Sequence, residues 1–128
     1  MIKAYLTGIP NGFKFPVEAR YSIFDDGKLI LKKSVVLDYV EPELVGHASL
    51  DTLLRQLGKN SDKEIKIFIN DGALYETVNG TSDTTDQDLL NMANETRKEM
   101  EKFDNLEIIN VNGNDEQVAE WNKVLRPY

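Results

Sequence analysis

Asp71 is the residue whose surroundings argue most directly for chemistry. The stretch FINDGALYETVNGT (68–81) closes an apolar run with Asn70-Asp71-Gly72 and continues at helical spacing to a second Asn-Gly pair. A carboxylate at the end of a buried strand could hold a metal ion or move a proton. The order Asn-Asp-Gly is also typical of a turn between two elements. The residue types alone leave both interpretations open.

Nucleophilic catalysis has less support in the sequence. The chain has no cysteine, which excludes a thiolate nucleophile, a disulfide framework and a cysteine-based zinc site. The only histidine, His47, lies two residues before Ser49 on a predicted helix, and residues at that spacing do not face each other. We therefore interpret His47 as a surface or structural residue rather than the base of a Ser-His pair.

The charge distribution argues against avid nucleic-acid binding. The net charge is -7, and residues 82–120 hold 11 acids but only 3 bases. No cluster of Lys and Arg along the sequence exceeds a pair such as Lys32-Lys33. Proteins that bind nucleic acids normally present a basic patch to the phosphates. Nucleic-acid binding is therefore predicted to be weak or absent.

The length and the N-terminal residues limit the class of protein that the sequence can belong to. A chain of 128 residues is expected to form one domain, 1–128. The opening residues MIKAYLTGIP resemble neither a secretion signal nor a bilayer span of about 20 apolar residues. The sequence therefore predicts a cytoplasmic protein without a membrane partner, and it leaves the oligomeric state open.

Hydrophobic periodicity predicts an α/β domain with the order βββαβααβα. Asp25-Asp26-Gly27 is typical of a hairpin, so the first three strands are expected to be antiparallel, with an irregularity near Lys32-Lys33. A helix followed by a buried strand then implies a crossover and parallel pairing. The predicted strands are 2–7, 17–24, 28–40, 64–69 and 106–111, and the predicted helices are 46–57, 71–79, 86–103 and 115–125.

Four motifs in this order carry a resemblance to a known family. INDGALYETVNGT (69–81) resembles the Asp-Ser-x-Leu-Val-x-x-x-Val-Asn-Gly-Thr segment of the ribonuclease H-like superfamily, in its reverse-transcriptase-like and bacterial branch. YLTG (5–8), ASLDTLLRQL (48–57) and NDEQVAEW (114–121) resemble the family's Tyr-x-Asp-Gly, Ala-Glu-Tyr-x-Ala-Leu-x-x-x-Leu and Asn-x-x-Ala-Asp-x-Leu. The resemblance implies a five-stranded mixed sheet flanked by helices.

The resemblance also implies where a site should lie. Family members use about four carboxylates to hold two divalent metals that activate a water on RNA-DNA hybrids. The positions that match those acids are Thr7, Ser49, Asn70 and Glu120, of which only Glu120 is charged. Asp71 could substitute for Asn70 only if a bulge or a different strand end turned it to the same face.

The leading hypothesis is therefore a catalytically degenerate domain that acts by binding a protein and needs no cofactor. Its candidate surfaces are the former cleft and the acids Asp88, Glu95 and Glu99 of the predicted helix 86–103. The first alternative is a divergent nuclease that holds Mg²⁺ or Mn²⁺ through Glu120 and Asp71. The second is an acidic decoy that mimics DNA.

Overall fold

One five-stranded sheet with four α-helices makes up the computed structural model, which describes residues 1–127. The strands are β1 (Ile2–Ile9), β2 (Val17–Asp25), β3 (Lys28–Leu37), β4 (Glu64–Ile69) and β5 (Asn105–Asn110). The helices are α1 (Val45–Leu57), α2 (Gly72–Asn79), α3 (Gln87–Met100) and α4 (Asp115–Leu125), with 3-10 turns at Pro42–Leu44 and Gly58–Asn60 on either side of α1. Each helix within residues 1–127 is too short or too polar to cross a bilayer.

The sheet has the mixed topology that the sequence predicts. Its strand order is β3-β2-β1-β4-β5, with β1, β2 and β3 antiparallel and β4 parallel to both β1 and β5. The predicted element order βββαβααβα is confirmed, as is the crossover from α1 into a buried β4. This topology places the ends of β1 and β4 side by side, because the two strands run in the same direction.

The larger differences from the prediction lie at two element ends and one irregularity, and every other predicted end is within two residues of the observed one. β3 ends at Leu37 instead of residue 40, and α3 ends at Met100, after which the chain turns so that Phe103 packs against the core. The irregularity lies at Ile30 rather than near Lys32-Lys33: Phe24 pairs with Leu29 and Ile23 with Leu31, which leaves one extra residue between them. That bulge turns the two leucines to opposite faces of the sheet, where strict alternation would place them on the same face.

The main core lies between α1 and one face of the sheet. α1 turns a stripe of fully buried leucines at helical spacing toward that face: Leu50, Leu53, Leu54 and Leu57. The strands pack against this stripe with buried residues at every second position, including Ile2, Ala4 and Leu6 of β1 and Ile65, Ile67 and Ile69 of β4. Burying apolar surface stabilises the fold by about 25 cal/mol of free energy for each Å² removed from water, so this apolar contact holds α1 against the sheet.

The opposite face of the sheet is covered by α4. Tyr5 of β1 stacks on Phe68 of β4 with 4.8 Å between ring centroids, and both pack into a second cluster with Leu125. Two polar bonds also hold α4 in place. The Ser22 hydroxyl donates to the Val124 carbonyl at 2.6 Å, and the Trp121 indole N-H donates to the Leu6 carbonyl at 3.0 Å.

Candidate active-site cleft

Three of the four positions that match the family acids meet in one cavity. Thr7 lies near the end of β1, Asn70 directly after β4, and Ser49 in the second turn of α1 above them. Together with Asp71 they line a cavity of about 60 Å³. The parallel pairing of β1 with β4 brings the two strand ends together, and the leucine stripe of α1 holds Ser49 over them.

The fourth position, Glu120, is not in the lining of this cavity. It lies on an exposed face of α4, and the next residue, Trp121, lines the cavity instead. The position of Glu120 is nevertheless close to Tyr5: burial raises the pKa of the Tyr5 hydroxyl, and the Glu120 carboxylate raises it further. The structure therefore brings Thr7, Ser49 and Asn70 together and leaves Glu120 at the outside.

Ser49 fits tightly against the end of β1. Its side chain is fully buried, and its Oγ has no hydrogen-bond partner among residues 1–127. A Cβ added to Gly8 would lie 2.6 Å from that Oγ and 2.9 Å from a methyl carbon of Val45. Glycine at position 8 is therefore what allows the start of α1 to approach the strand this closely.

Asp71 has a structural role in the fold. It is the N-cap of α2 in an extended conformation, and its Oδ1 accepts the Leu74 backbone N-H at 3.0 Å. Its Oδ2 lies against Gly46 of α1, where an added Cβ would come within 2.8 Å. Because β4 already ends at Ile69, strict alternation no longer applies, and Asn70 and Asp71 both line the cavity. Asp71 thus combines a helix cap with a place in the cleft.

The donors in the cleft do not fit a pair of divalent cations. Thr7, Ser49 and Asn70 are neutral oxygen donors, and Asp71 brings the one carboxylate of the cavity lining. Mg²⁺ is normally held by one or two carboxylates together with waters and substrate phosphates. Among residues 1–127, no three His, Asp or Glu side chains are grouped so that they could hold a metal ion.

His47 is a buried structural histidine, which is one of the two interpretations that the sequence left open. Only 1 % of the residue is exposed. Its Nε2 lies 2.7 Å from the Thr77 Oγ1, which is also 2.9 Å from the Leu74 carbonyl, and its Nδ1 lies 3.3 Å from the Thr96 Oγ1. Both ring nitrogens of His47 are therefore within hydrogen-bond distance of a threonine hydroxyl, which can donate or accept according to the tautomer of the ring. His47 and Ser49 share no hydrogen bond, as their spacing predicts.

The bonds of His47 continue into a polar chain between three helices. The Thr96 hydroxyl of α3 also lies 2.8 Å from Oδ1 of Asp51 on α1. Burial lowers the pKa of His47, with a further decrease from Arg97 opposed by the Asp71 carboxylate. Burial raises the pKa of Asp51. The hydrogen bond from Thr96 and the Arg55 cation oppose that increase, and Glu99 and Glu95 add to it. The polar chain Thr77-His47-Thr96-Asp51 therefore joins α2, α1 and α3 at their common seam.

The predicted acidic surface lies along one side of α3. Asp88 and Glu95 are exposed, and the Glu99 carboxylate forms an ion pair of 3.0 Å with Lys102. Both Glu95 and Glu99 are close enough to Asp51 to raise the pKa of that carboxyl. We call the three helical acids the acidic stripe, of which Glu95 and Glu99 border the seam between α1 and α3.

Comparison with solved structures identifies the fold. No protein-family model matches the sequence, and no curated protein matches it. By structure, RNase H1 from the halophilic archaeon Halobacterium salinarum superposes with a TM-score of 0.78 at 19% identity, over 97% of this chain and 96% of that one. LC11-RNase H1, solved in complex with an RNA/DNA hybrid, gives 0.77 at 18% identity, over 98% and 94%. The N-terminal RNase H domain of rv2228c from Mycobacterium tuberculosis gives 0.71 at 12% identity, over 97% and 92%.

The chain therefore has the ribonuclease H-like fold over 97 to 98% of its length. The neighbours' chains are covered almost completely, and the five-stranded mixed sheet with its flanking helices is the arrangement that they share. The fold that the sequence motifs predict is confirmed. At 12 to 19% identity the likeness concerns the fold, and the chemistry has to be argued from the side chains of this chain.

Replacing Ser49 by Ala is expected to leave the free energy of unfolding within about 0.5 kcal/mol or to raise it, because the buried Oγ has no protein partner to lose. Ser22, equally buried, is the matched control. Ser22→Ala removes the donor to the Val124 carbonyl and should cost about 1 to 3 kcal/mol. Urea unfolding of both variants measures the difference, and an equal loss at the two sites would contradict the packing described for Ser49.

The pKa of His47 predicts a pH dependence of stability. The folded state binds the His47 proton less readily than the unfolded chain, whose ordinary pKa is about 6.5, so stability should fall as the pH drops below that value. The raised pKa of Asp51 acts in the opposite sense: its burial costs stability as the pH rises above the ordinary value of about 3.8. Urea unfolding at a series of pH values between about 5 and 7.5 measures the slope.

A His47→Gln variant isolates the contribution of the histidine, since the chain has no second one. The wild-type protein should lose stability relative to this variant as the pH is lowered, because only the wild type must protonate a buried ring. Asp51 is present in both proteins and its effect cancels in the comparison. Parallel pH profiles of the two proteins would show that His47 does not titrate as its burial requires.

Proposed function

We propose that this ribonuclease H-like domain is catalytically degenerate and acts by binding, with a protein as its partner. The observation that supports this best is the composition of the cleft. Thr7, Ser49 and Asn70 occupy the places where the related proteins are expected to carry acids, and the remaining carboxylate, Asp71, already caps α2.

The physical reason for this proposal is the electrostatic cost of holding two divalent cations in a cleft with little negative charge. Two divalent cations a few ångströms apart repel each other strongly, and only nearby negative charge offsets that repulsion. Neutral hydroxyl and amide oxygens supply dipoles without net charge. One carboxylate in the cleft and one exposed on α4, Glu120, leave most of the metal charge uncompensated.

A divergent metal-dependent nuclease is the alternative function. It is motivated by the structural neighbour solved with an RNA/DNA hybrid, and it would have to rely on Asp71 and Glu120. Asp71 would then hold Mg²⁺ or Mn²⁺ in addition to capping α2, and Glu120 would have to turn toward the cleft from the outer face of α4. The degenerate domain requires neither change, and for that reason we prefer it.

A cleavage assay separates the two functions. We expect no hydrolysis of a labelled RNA-DNA hybrid above background in Mg²⁺ or Mn²⁺, with an active ribonuclease H as the positive control. The decisive comparison uses Asp71→Asn and Glu120→Gln. Cleavage by the wild type that both variants abolish would establish the nuclease and overturn the binding proposal, whereas cleavage unaffected by either variant would indicate a contaminating enzyme.

The acidic stripe of α3 is the surface that we assign to the partner. Only Ala93 and Thr96 of α3 are fully buried, so the helix leaves most of its surface accessible. Asp88, Glu95 and Glu99 lie on one side of it at spacings of seven and four residues, which on a helix places them along one line. A basic partner would associate with such a stripe faster than a neutral one, and it would bind more tightly at lower ionic strength.

Charge reversal tests this surface. The variant Asp88→Lys, Glu95→Lys, Glu99→Lys should lose the partner captured from an extract by the wild type, because attraction becomes repulsion. Asp62→Lys, Glu64→Lys, Glu107→Lys is the matched control, since it reverses three exposed acids away from α3 and changes the net charge equally. Capture by both variants would exclude the stripe, and capture of no partner by the wild type would count against the binding proposal as a whole.

The same experiment addresses the DNA-mimic function. A decoy would capture a DNA-binding protein, and added DNA should displace it with an efficiency that falls as the salt concentration rises. Displacement of the partner by DNA would indicate a DNA-mimic decoy. A partner that DNA does not displace supports ordinary protein recognition.

A further inference from the structure

A second polar site lies at the other end of α1 from the cleft. The last two turns of α1 and the 3-10 turn after it face the strands β2 and β3 across a groove of about 360 Å³. We call it the basic groove. Its polar lining consists of Tyr21, Lys33, Thr52, Arg55, Gln56 and Lys59.

The charges of the basic groove contrast with those of the whole protein. Three of its lining residues are cations, Lys33, Arg55 and Lys59, and no carboxylate lines it. All three are exposed, and within residues 1–127 none of them takes part in an ion pair. Arg55 lies one helical turn from Asp51 and lowers the pKa of that carboxyl, but the carboxylate itself bonds to Thr96 on the α3 side. In a chain with 22 acids and 15 bases, three cations around one groove concentrate positive potential there.

Neutral donors lie at the floor of the groove. The Tyr21 side chain is almost fully buried, and its hydroxyl lies 3.5 Å from Oε1 of Gln56. Because Oε1 faces that hydroxyl, the amide N-H₂ of Gln56 is the part of the side chain that can donate to a ligand. Thr52 is already committed, since its hydroxyl donates to the Ala48 carbonyl at 2.9 Å. The groove thus offers cationic donors at its rim and an amide donor beneath them.

We propose that the basic groove binds the phosphate groups of a small ligand. Guanidinium and ammonium groups form short, charge-assisted hydrogen bonds with phosphate oxygens, and Arg55 can do so with two N-H groups at once. The groove volume falls within the range of about 300 to 1,000 Å³ that is usual for small-molecule sites. A long polyanion would also be repelled by the rest of the protein, whose net charge is -7, whereas a small ligand interacts chiefly with the groove.

Titration with pyrophosphate tests the proposal on the full chain. At about 0.1 M ionic strength, where exposed charges are screened beyond about 10 Å, pyrophosphate should bind saturably and shift the backbone amide resonances of residues 33 and 52–59. The variant Lys33→Gln, Arg55→Gln, Lys59→Gln should weaken the dissociation constant by at least about tenfold, because each lost cation removes a charge-assisted bond. Lys59→Gln alone, in an exposed turn, should weaken it by a smaller factor.

The matched control is Lys3→Gln, Lys98→Gln, Lys123→Gln. It removes three exposed cations outside the groove, so both triple variants carry a net charge of -10, three below -7. The control should change the dissociation constant by less than about threefold, since it alters only the long-range potential. An equal loss in the two triple variants would overturn the proposal, as would the absence of saturation below about 10 mM pyrophosphate.

Two further arms distinguish the source of the anion. A nucleoside triphosphate should bind through the same resonances at least as tightly as pyrophosphate. A single-stranded oligonucleotide or a poly-glutamate peptide that bound these residues more tightly than either phosphate compound would overturn the assignment to a small ligand. Circular dichroism of each variant verifies that the folded state is retained.

Discussion

The seating of α1 on the sheet is the contact on which the rest of the structure depends. Its four buried leucines fix the helix against β1 and β4, and the missing side chain at Gly8 lets the first turns of the helix reach the strand end. Three polar features then follow from that placement. The start of the helix forms the roof of the cleft, its middle carries Asp51 into the seam with α3, and its end forms one wall of the basic groove.

The cleft keeps the strand ends and the helix close together around a lining that is mostly neutral. Thr7, Ser49 and Asn70 contribute hydroxyl and amide oxygens, and the cavity between them is only about 60 Å³. Asp71 is the one carboxylate in that lining, so the cavity concentrates little negative charge. Ser49 shows how closely the helix packs there, because its buried hydroxyl has no hydrogen-bond partner among residues 1–127, whereas the Ser22 hydroxyl on the other face of the sheet donates to the Val124 carbonyl.

Sequence reasoning reached the fold because periodicity and motif order are local properties of the chain. The leucine spacing in α1 and the alternation in β2, for example, were enough to predict these two elements. The bulge at Ile30 could not be located in this way, because it depends on which face of the sheet each leucine must cover. The motif match assigned Glu120 to the site, whereas Trp121 lines the cavity, since one residue rotates a helix by about 100°. The sequence also left open whether His47 is a surface or a structural residue, because its partners Thr77 and Thr96 are 30 and 49 residues away. The basic groove was not predicted for a similar reason, because Lys33 is distant in sequence from Arg55 and Lys59.

The polar attachment of α3 has a consequence for the dynamics of the domain. Only Ala93 and Thr96 of this helix are fully buried, and the bonds to His47 and Asp51 tie it to α1. Such a helix can open at a lower free energy than the leucine-packed core, because little apolar surface is exposed when it leaves. Any ligand that holds the acidic stripe in place therefore also stabilises the closed helix, and part of its binding energy is spent on that closure. Recognition and local folding are thermodynamically linked at this surface.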